Sequence, residues 1–110
     1  MPPASEQHIL LQLDRTVHEP ARLAILTLLA GVETADFMFI MHRVGLTGGN
    51  LGAHITKLQE RGFVEVRKEF VEKLPRTLVS LTESGRAALL EYRKTFQQVL
   101  ETIPAGPKAP

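Results

Sequence analysis

The chain has 110 residues, a hydrophobic content of 44% and a net charge of +1, which suits one ordinary globular domain with one core. It has no cysteine, which excludes disulfides, thiolate metal sites and thiol redox sensing and fits a reducing cytoplasm. The balance is far from strongly basic, so any surface for nucleic acid has to be a local one.

In chain order, Met1 to Ala4 reads as a loose end, and Ser5 is a suitable N-cap for a first helix to about Val17 with Leu10, Leu13 and Val17 as its apolar stripe. This N-terminal stretch has no basic n-region or long apolar run, so it does not read as a secretory signal. No segment approaches the roughly 20 apolar residues of a membrane span. Pro20 is well placed as the first residue of a second helix, PARLAILTLLA. That segment is apolar on most sides and so is predicted to be the central buried helix, ending at Gly31. A third helix is expected from Thr34 or Ala35 with Phe37, Ile40, Met41 and Val44 inward, closed by Gly45. Val44-Gly45-Leu46 then leads to Thr47, a natural N-cap, and such a short turn is the helix-turn-helix signature.

In the helix that follows, Leu51, Ile55 and Leu58 share one face. Asn50, His54, Lys57 and Arg61 share another, which is nearly free of apolar content. An amide, an imidazole and two cations are the donor set that reads base edges and phosphates, although a polar helix face is more often simply solvated. Gly62 stops this helix. FVEVRKEFVEK, with Val64, Val66 and Phe70 alternating, reads as a strand. A break is expected at Pro75, and TLVSLT, with Leu78 and Leu81, reads as a second strand. Thr82 caps a long last helix, ESGRAALLEYRKTFQQVLETI, and the tail PAGPKAP is expected to be disordered. The prediction is an α+β winged helix-turn-helix in the order α-α-α-α-β-β-α, one domain over 5–103 with a flexible 1–4 and a tail over 104–110, and long first and last helices.

The chain resembles winged helix-turn-helix transcriptional regulators of the MarR/ArsR-like kind, in particular the short winged helix DNA-binding domain regulators of bacteria and archaea. The resemblance spans roughly residues 8–100 and rests on PARLAIL, LTGGNLGAHITKLQERGFVEVRK and PRTLVSLTESGRAAL. Its most specific part is N-L-x-x-H-I-x-K-L-x-x-x-G-[FY]-V followed by R-T-x-x-x-L-T-x-x-G. The resemblance implies that the recognition helix, about 47–61, enters the major groove of double-stranded DNA, with Thr47, Gly49, Asn50, His54 and Lys57 at groove-facing positions. It implies that Arg67, Lys68, Lys73 and Arg76, on a wing of about 63–81, meet phosphates or the minor groove. The chain departs from relatives that have Ser where it has Gly52 and polar residues where it has Gly48 and Gly49.

Read residue by residue, Gly48 and Gly49 let backbone N–H groups at a helix start approach a phosphate, against a frayed first turn as the plain alternative. Asn50 suits paired hydrogen bonds to adenine or, equally, capping. Lys57 and Arg61 suit phosphates, and Arg61 has Glu60 or Glu65 as alternative ion-pair partners. On the wing, four cations face three carboxylates, Glu65, Glu69 and Glu72. Strand alternation is a means of turning the acids aside, and without that separation the wing is a weak contact. His8, His18, His42 and His54 have no metal-ligand spacing, GLTGG lacks the Lys of a phosphate loop, and no catalytic constellation is evident. No metal, no cofactor and no enzyme activity are expected.

Leu89, Tyr92, Phe96, Val99 and Ile103 recur at spacings of three and four, a coiled-coil-like seam. With Leu10, Leu13 and Val17 they are expected to form a homodimer interface, setting two recognition helices about 34 Å apart over a pseudo-palindromic operator. The resulting expectation is a cytoplasmic, dimeric repressor that occludes a promoter. Its signal is either a small-molecule effector held between the dimer seam and the DNA-binding part, or abundance alone. The other reading is a protein-interaction winged helix that does not bind DNA.

Overall fold

The computed structural model describes residues 8–108. These form a 3-10 turn (Ile9–Gln12), helix α1 (Pro20–Ala30), a short strand β1 (Ala35–Asp36), helices α2 (Phe37–Val44) and α3 (Gly48–Glu60), strands β2 (Val64–Val71) and β3 (Leu74–Leu81), and helix α4 (Glu83–Glu101). The sheet is antiparallel in the order β1-β3-β2, giving the α+β winged-helix arrangement. No helix among the described residues is long and apolar enough to cross a membrane.

The expected helix from Ser5 to Val17 is corrected over its described part, Ser5 itself lying outside the described residues. Leu13 is extended, with φ −67° and ψ 139°. Asp14 Oδ1 then accepts from the amides of Thr16 at 2.8 Å and Val17 at 3.4 Å. A short carboxylate that offers the backbone such bonds competes with a helix, and here it forms a turn that sends Leu13 and Val17, 6% and 0% exposed, into the core.

Two other boundaries move for similar reasons. The helix expected from Thr34 or Ala35 begins at Phe37, because the Asp36 carboxylate caps it by accepting from the Met38 amide at 3.0 Å. Ala35 and Asp36 pair instead with Val79 and Leu78. The hairpin does not break at Pro75. Its turn is Glu72-Lys73, both with positive φ (53° and 68°), as a two-residue type I′ connection requires. Val71 and Leu74 close that turn, and Pro75 stands opposite Phe70 in the next pair. Antiparallel alternation puts the missing N–H of that residue on the outer edge of the ladder, where it costs nothing. Gly45 closes α2 at φ 82° and Thr47 Oγ1 accepts from the Asn50 amide at 3.2 Å, both as expected. Pro20 opens α1 as expected, behind a cap the sequence did not suggest, the Glu19 carboxylate accepting from the Arg22 amide.

The core takes Ile25, Leu26 and Leu29 from α1, Ile40 from α2, Leu51, Ile55 and Leu58 from α3, Val64 and Val79 from the sheet, and Tyr92 and Val99 from α4. The apolar stripes expected to build a dimer therefore go largely inward. Leu13, Val17, Tyr92 and Val99 are buried, Leu89 and Phe96 are partly buried against the same core, and only Leu10 and Ile103 are exposed. The period in the sequence is the period of one protomer's packing, since the N-terminal segment lies against α4.

The base of the wing is fastened at one junction. Thr82 Oγ1 donates to the Gly62 carbonyl at 2.6 Å and accepts from the Gly85 amide at 3.0 Å, while the Thr82 amide donates to Phe63 O at 3.0 Å. This brings the first turn of α4 onto the chain entering β2 so closely that a Cβ at Gly85 would collide with the Phe63 carbonyl. Gly85→Ala is expected to lower stability by roughly 1–3 kcal/mol, read as a lower urea midpoint at unchanged slope. Left-handed backbone costs a non-glycine residue about 1–2 kcal/mol. Glu72→Asn with Lys73→Gly is therefore expected to raise stability by about 1 kcal/mol, a rise in Tm of roughly 4–8 °C by calorimetry.

Candidate nucleic-acid interface

Helix α3 is capped by Thr47 and buries Leu51, Ile55 and Leu58, which are 0%, 5% and 0% exposed. At about 100° per residue, the side directly opposite that stripe carries Gly49, Ala53, Thr56, Lys57 and Glu60, all exposed. Cβ atoms at Gly49 and Gly52 would meet nothing within 4 Å, so packing does not require these glycines.

The four residues read as one polar face do share an arc of about 60°, but they differ in what they touch. Asn50 and Lys57 are exposed. His54 and Arg61 lie on the flank that faces the segment before α1. The His54 side chain is 23% exposed, with Nδ1 3.2 Å from Arg22 Nη1 and 3.7 Å from Glu19 Oε2. Arginine only donates, so a hydrogen bond from Arg22 needs Nδ1 as its acceptor, whereas the Glu19 contact is an ion pair only for a protonated ring. The Arg22 side chain is itself 11% exposed, and its Nε donates to the Thr16 carbonyl at 2.6 Å. Arg61 does not pair with Glu60 or Glu65. Its guanidinium donates to both Asp14 oxygens, at 3.2 and 2.9 Å, and to Thr16 Oγ1 at 2.7 Å, and it lies 4.7 Å from the Phe63 ring centroid.

Two carboxylates are tuned by these contacts. Partial burial pushes the Asp14 carboxyl upward, but hydrogen bonding from Arg61 and the Thr16 and Val17 amides, with the Arg61 charge, outweighs it and holds the group below its ordinary value. Glu19 is likewise lowered. Burial opposes the shift, and the amides of Arg22 and Ala21, then the charges of His54 and Arg22, carry it.

On the wing, alternation does not separate the charges. The register puts Glu65, Arg67, Glu69 and Arg76 on one face and Lys68, Phe70, Pro75 and Thr77 on the other. Arg67 Nε donates to Glu69 Oε2 at 3.1 Å, and Glu69 stands opposite Arg76. Lys73 sits in the turn itself. Phe70 is 75% exposed because the hairpin continues past the core that covers Val64 and Val66, and Leu74, 64% exposed, lies on the opposite face, with Arg67 and Glu69.

Sequence reasoning missed Ala53 and Thr56 on the outward side of α3, although the spacing Gly49-Ala53-Thr56-Glu60 was available as a signal. It also missed Asp14, Glu19 and Arg22, which come from distant sequence. Among the described residues, no group of three or more His, Asp or Glu is placed to hold a metal ion.

Residues 21–100 match the family model described as a winged helix DNA-binding domain. An uncharacterized protein of Methanocaldococcus jannaschii is 37% identical over 82 residues, covering 74% of this chain and 89% of that one. The structure of a transcriptional regulator homologue from Pyrococcus horikoshii OT3 superposes with a TM-score of 0.81 at 28% identity, covering 86% of this chain and 96% of the other. Bordetella bronchiseptica BpsR, whose DNA binding is regulated by 6-hydroxynicotinic acid, shares the fold at a TM-score of 0.68 and 19% identity, with 91% and 76% of the two chains covered. MarR-family regulators are among the further structural neighbours. With α3 presenting its polar side outward on such a frame, the chain belongs to the winged helix DNA-binding domain family, as a DNA-binding transcriptional regulator and not an enzyme.

Proposed function

We propose that this chain is a cytoplasmic, homodimeric repressor that covers a pseudo-palindromic operator. The observation that carries the reading is the outward side of α3, where Gly49, Asn50, Ala53, Thr56 and Lys57 stand exposed around an open backbone. Thr47 and Gly49 put the positive helix end near a phosphate. Asn50 suits adenine, Ala53 suits a thymine methyl, and Lys57 suits a phosphate. His54 reaches the groove edge through Nε2. On the wing, Lys68, Lys73 and Arg76 are the phosphate contacts, with Arg67 contributing less because of Glu69.

The dimer surface is the apolar area that the core leaves over: Leu10 and Leu11 on the N-terminal turn, Leu90 and Leu100 on α4 and Ile103 just beyond its end, between 41% and 66% exposed. Leu89 and Phe96 edge the same helix. Beside it lies a mainly apolar cleft of about 360 Å³ between α1 and α4, bounded by Leu23, Thr27, Leu89, Tyr92, Arg93 and Phe96. A small planar acid, with its ring against Phe96 and its carboxylate toward Arg93, is the effector class that suits it. BpsR responds to 6-hydroxynicotinic acid, and NadR is known in complex with 4-hydroxyphenylacetate.

Anisotropy with mixed-sequence duplex DNA between roughly 50 and 200 mM salt tests the reading. Affinity is expected to fall steeply with salt, and Lys57→Ala to reduce the log–log slope by about 1. Absence of binding even at low salt would favour a protein-interaction module instead. Leu90→Glu with Leu100→Glu is expected to convert the dimer to monomer in sedimentation velocity and to abolish tight binding to a two-half-site operator. A wild-type monomer in the same run would overturn the dimer.

A further inference from the structure

The segment Asp14–Glu19 grips α3 at two points seven residues, or about 10 Å, apart. At the C-terminal point, Asp14 and Thr16 take three hydrogen bonds from the Arg61 guanidinium. At the middle point, Arg22, anchored on the Thr16 and Arg15 carbonyls and beside Glu19, reaches His54. The same segment meets α4 on its other side. His18 Nδ1 and the Tyr92 hydroxyl share a 2.9 Å hydrogen bond, and the His18 ring lies 6.2 Å from that of Phe96.

The core side of α3 is all aliphatic, and apolar packing is non-directional. It decides which side of the helix faces outward, but it fixes no donor–acceptor geometry. A forked guanidinium–carboxylate pair is directional, and side chains that read bases need placement within about 0.5 Å. The Asp14–Arg61 pair is 28% and 48% exposed, and such pairs add little to stability. Its geometry matters more than its energy.

We propose that Asp14 is a positioning residue for DNA reading, acting through Arg61 to fix α3 against the α4-bound segment, and that Arg61 serves this clamp and not a phosphate. The proposal rests on the DNA-binding reading of α3. It is tested by anisotropy on the full chain across the same salt range, comparing wild type with Asp14→Asn, Arg61→Lys, Arg61→Ala and Asp14→Asn/Arg61→Ala, all at a temperature where circular dichroism shows each folded. Lysine keeps the charge for a phosphate but loses the fork. Arg61→Lys is therefore expected to weaken binding about tenfold, as Arg61→Ala does. Asp14→Asn should do the same, the double variant should bind no more weakly than either single one, and the salt slope should stay that of wild type. The proposal is overturned if Arg61→Lys binds like wild type while Arg61→Ala flattens the slope by about 1. It is overturned equally if Asp14→Asn binds as tightly as wild type or tighter, or if the losses add. Should Asp14→Asn not fold, Arg61→Lys against Arg61→Ala decides alone. Wild type without salt-dependent binding overturns the DNA reading itself, before any variant is compared, and takes the clamp with it.

Discussion

The arrangement depends on the seating of α3 by Leu51, Ile55 and Leu58. Each is buried, and together they hold one side of the helix against α1, α2 and the sheet. Burying a leucine or isoleucine side chain contributes about 1.5–3 kcal/mol, so this stripe keeps α3 on the domain, and its opposite side is thereby committed to solvent or DNA. The outward placement of Gly49, Asn50, Ala53 and Lys57 is a geometric consequence of that burial. The Thr47 cap fixes where the helix starts and so which residues belong to the outward turn.

A second fastening relates the wing to this helix. Gly62, in the left-handed region at φ 73°, turns the chain out of α3, and Thr82 ties that turn to the start of α4. The absence of a side chain at Gly85 lets α4 close on Phe63. Helix, hairpin and α4 therefore meet over a few residues, and the wing leaves the domain in a direction set by backbone contacts. Beyond Val66 the hairpin has no core to rest on, so its tip relies on ladder pairing and on a Glu72-Lys73 turn that holds two non-glycine residues at positive φ.

Most of the fold was legible because its signals are local. Pro20, Gly45, Thr47, Gly62 and Thr82 mark ends of elements by their own backbone preferences, and the aliphatic spacing of α3 gives its buried side. What was not legible needed contacts across the chain. The Asp14 turn displaced an amphipathic pattern that would otherwise read as a helix. The three-four repeat on α4 could not say whether its partner is a second protomer or the same chain, and most of it packs at home. In the interface, helical spacing grouped Asn50, His54, Lys57 and Arg61 within an arc of about 60°, and that grouping is right as geometry, but spacing along one helix does not show which of the four meet another segment. Only the presence of Asp14, Glu19 and Arg22 at the flank separates His54 and Arg61 from the outward side.

This division bears on how a nearly neutral chain binds a polyanion. With Arg61 held by Asp14 and Arg67 paired with Glu69, few cations of the reading helix and wing remain for phosphates, chiefly Lys57, Lys68, Lys73 and Arg76. Each phosphate contact adds about one counterion to the salt dependence, so a single protomer has a small electrostatic hold on DNA. The remainder has to come from base contacts that demand an accurately placed helix and, on the proposed dimer, from two such helices at a spacing matched to the duplex. Low net charge and the clamp on α3 are then complementary. A protein that does not rely on bulk attraction depends more heavily on the position of its reading helix, and the segment that sets that position also touches α4 beside the effector cleft proposed above.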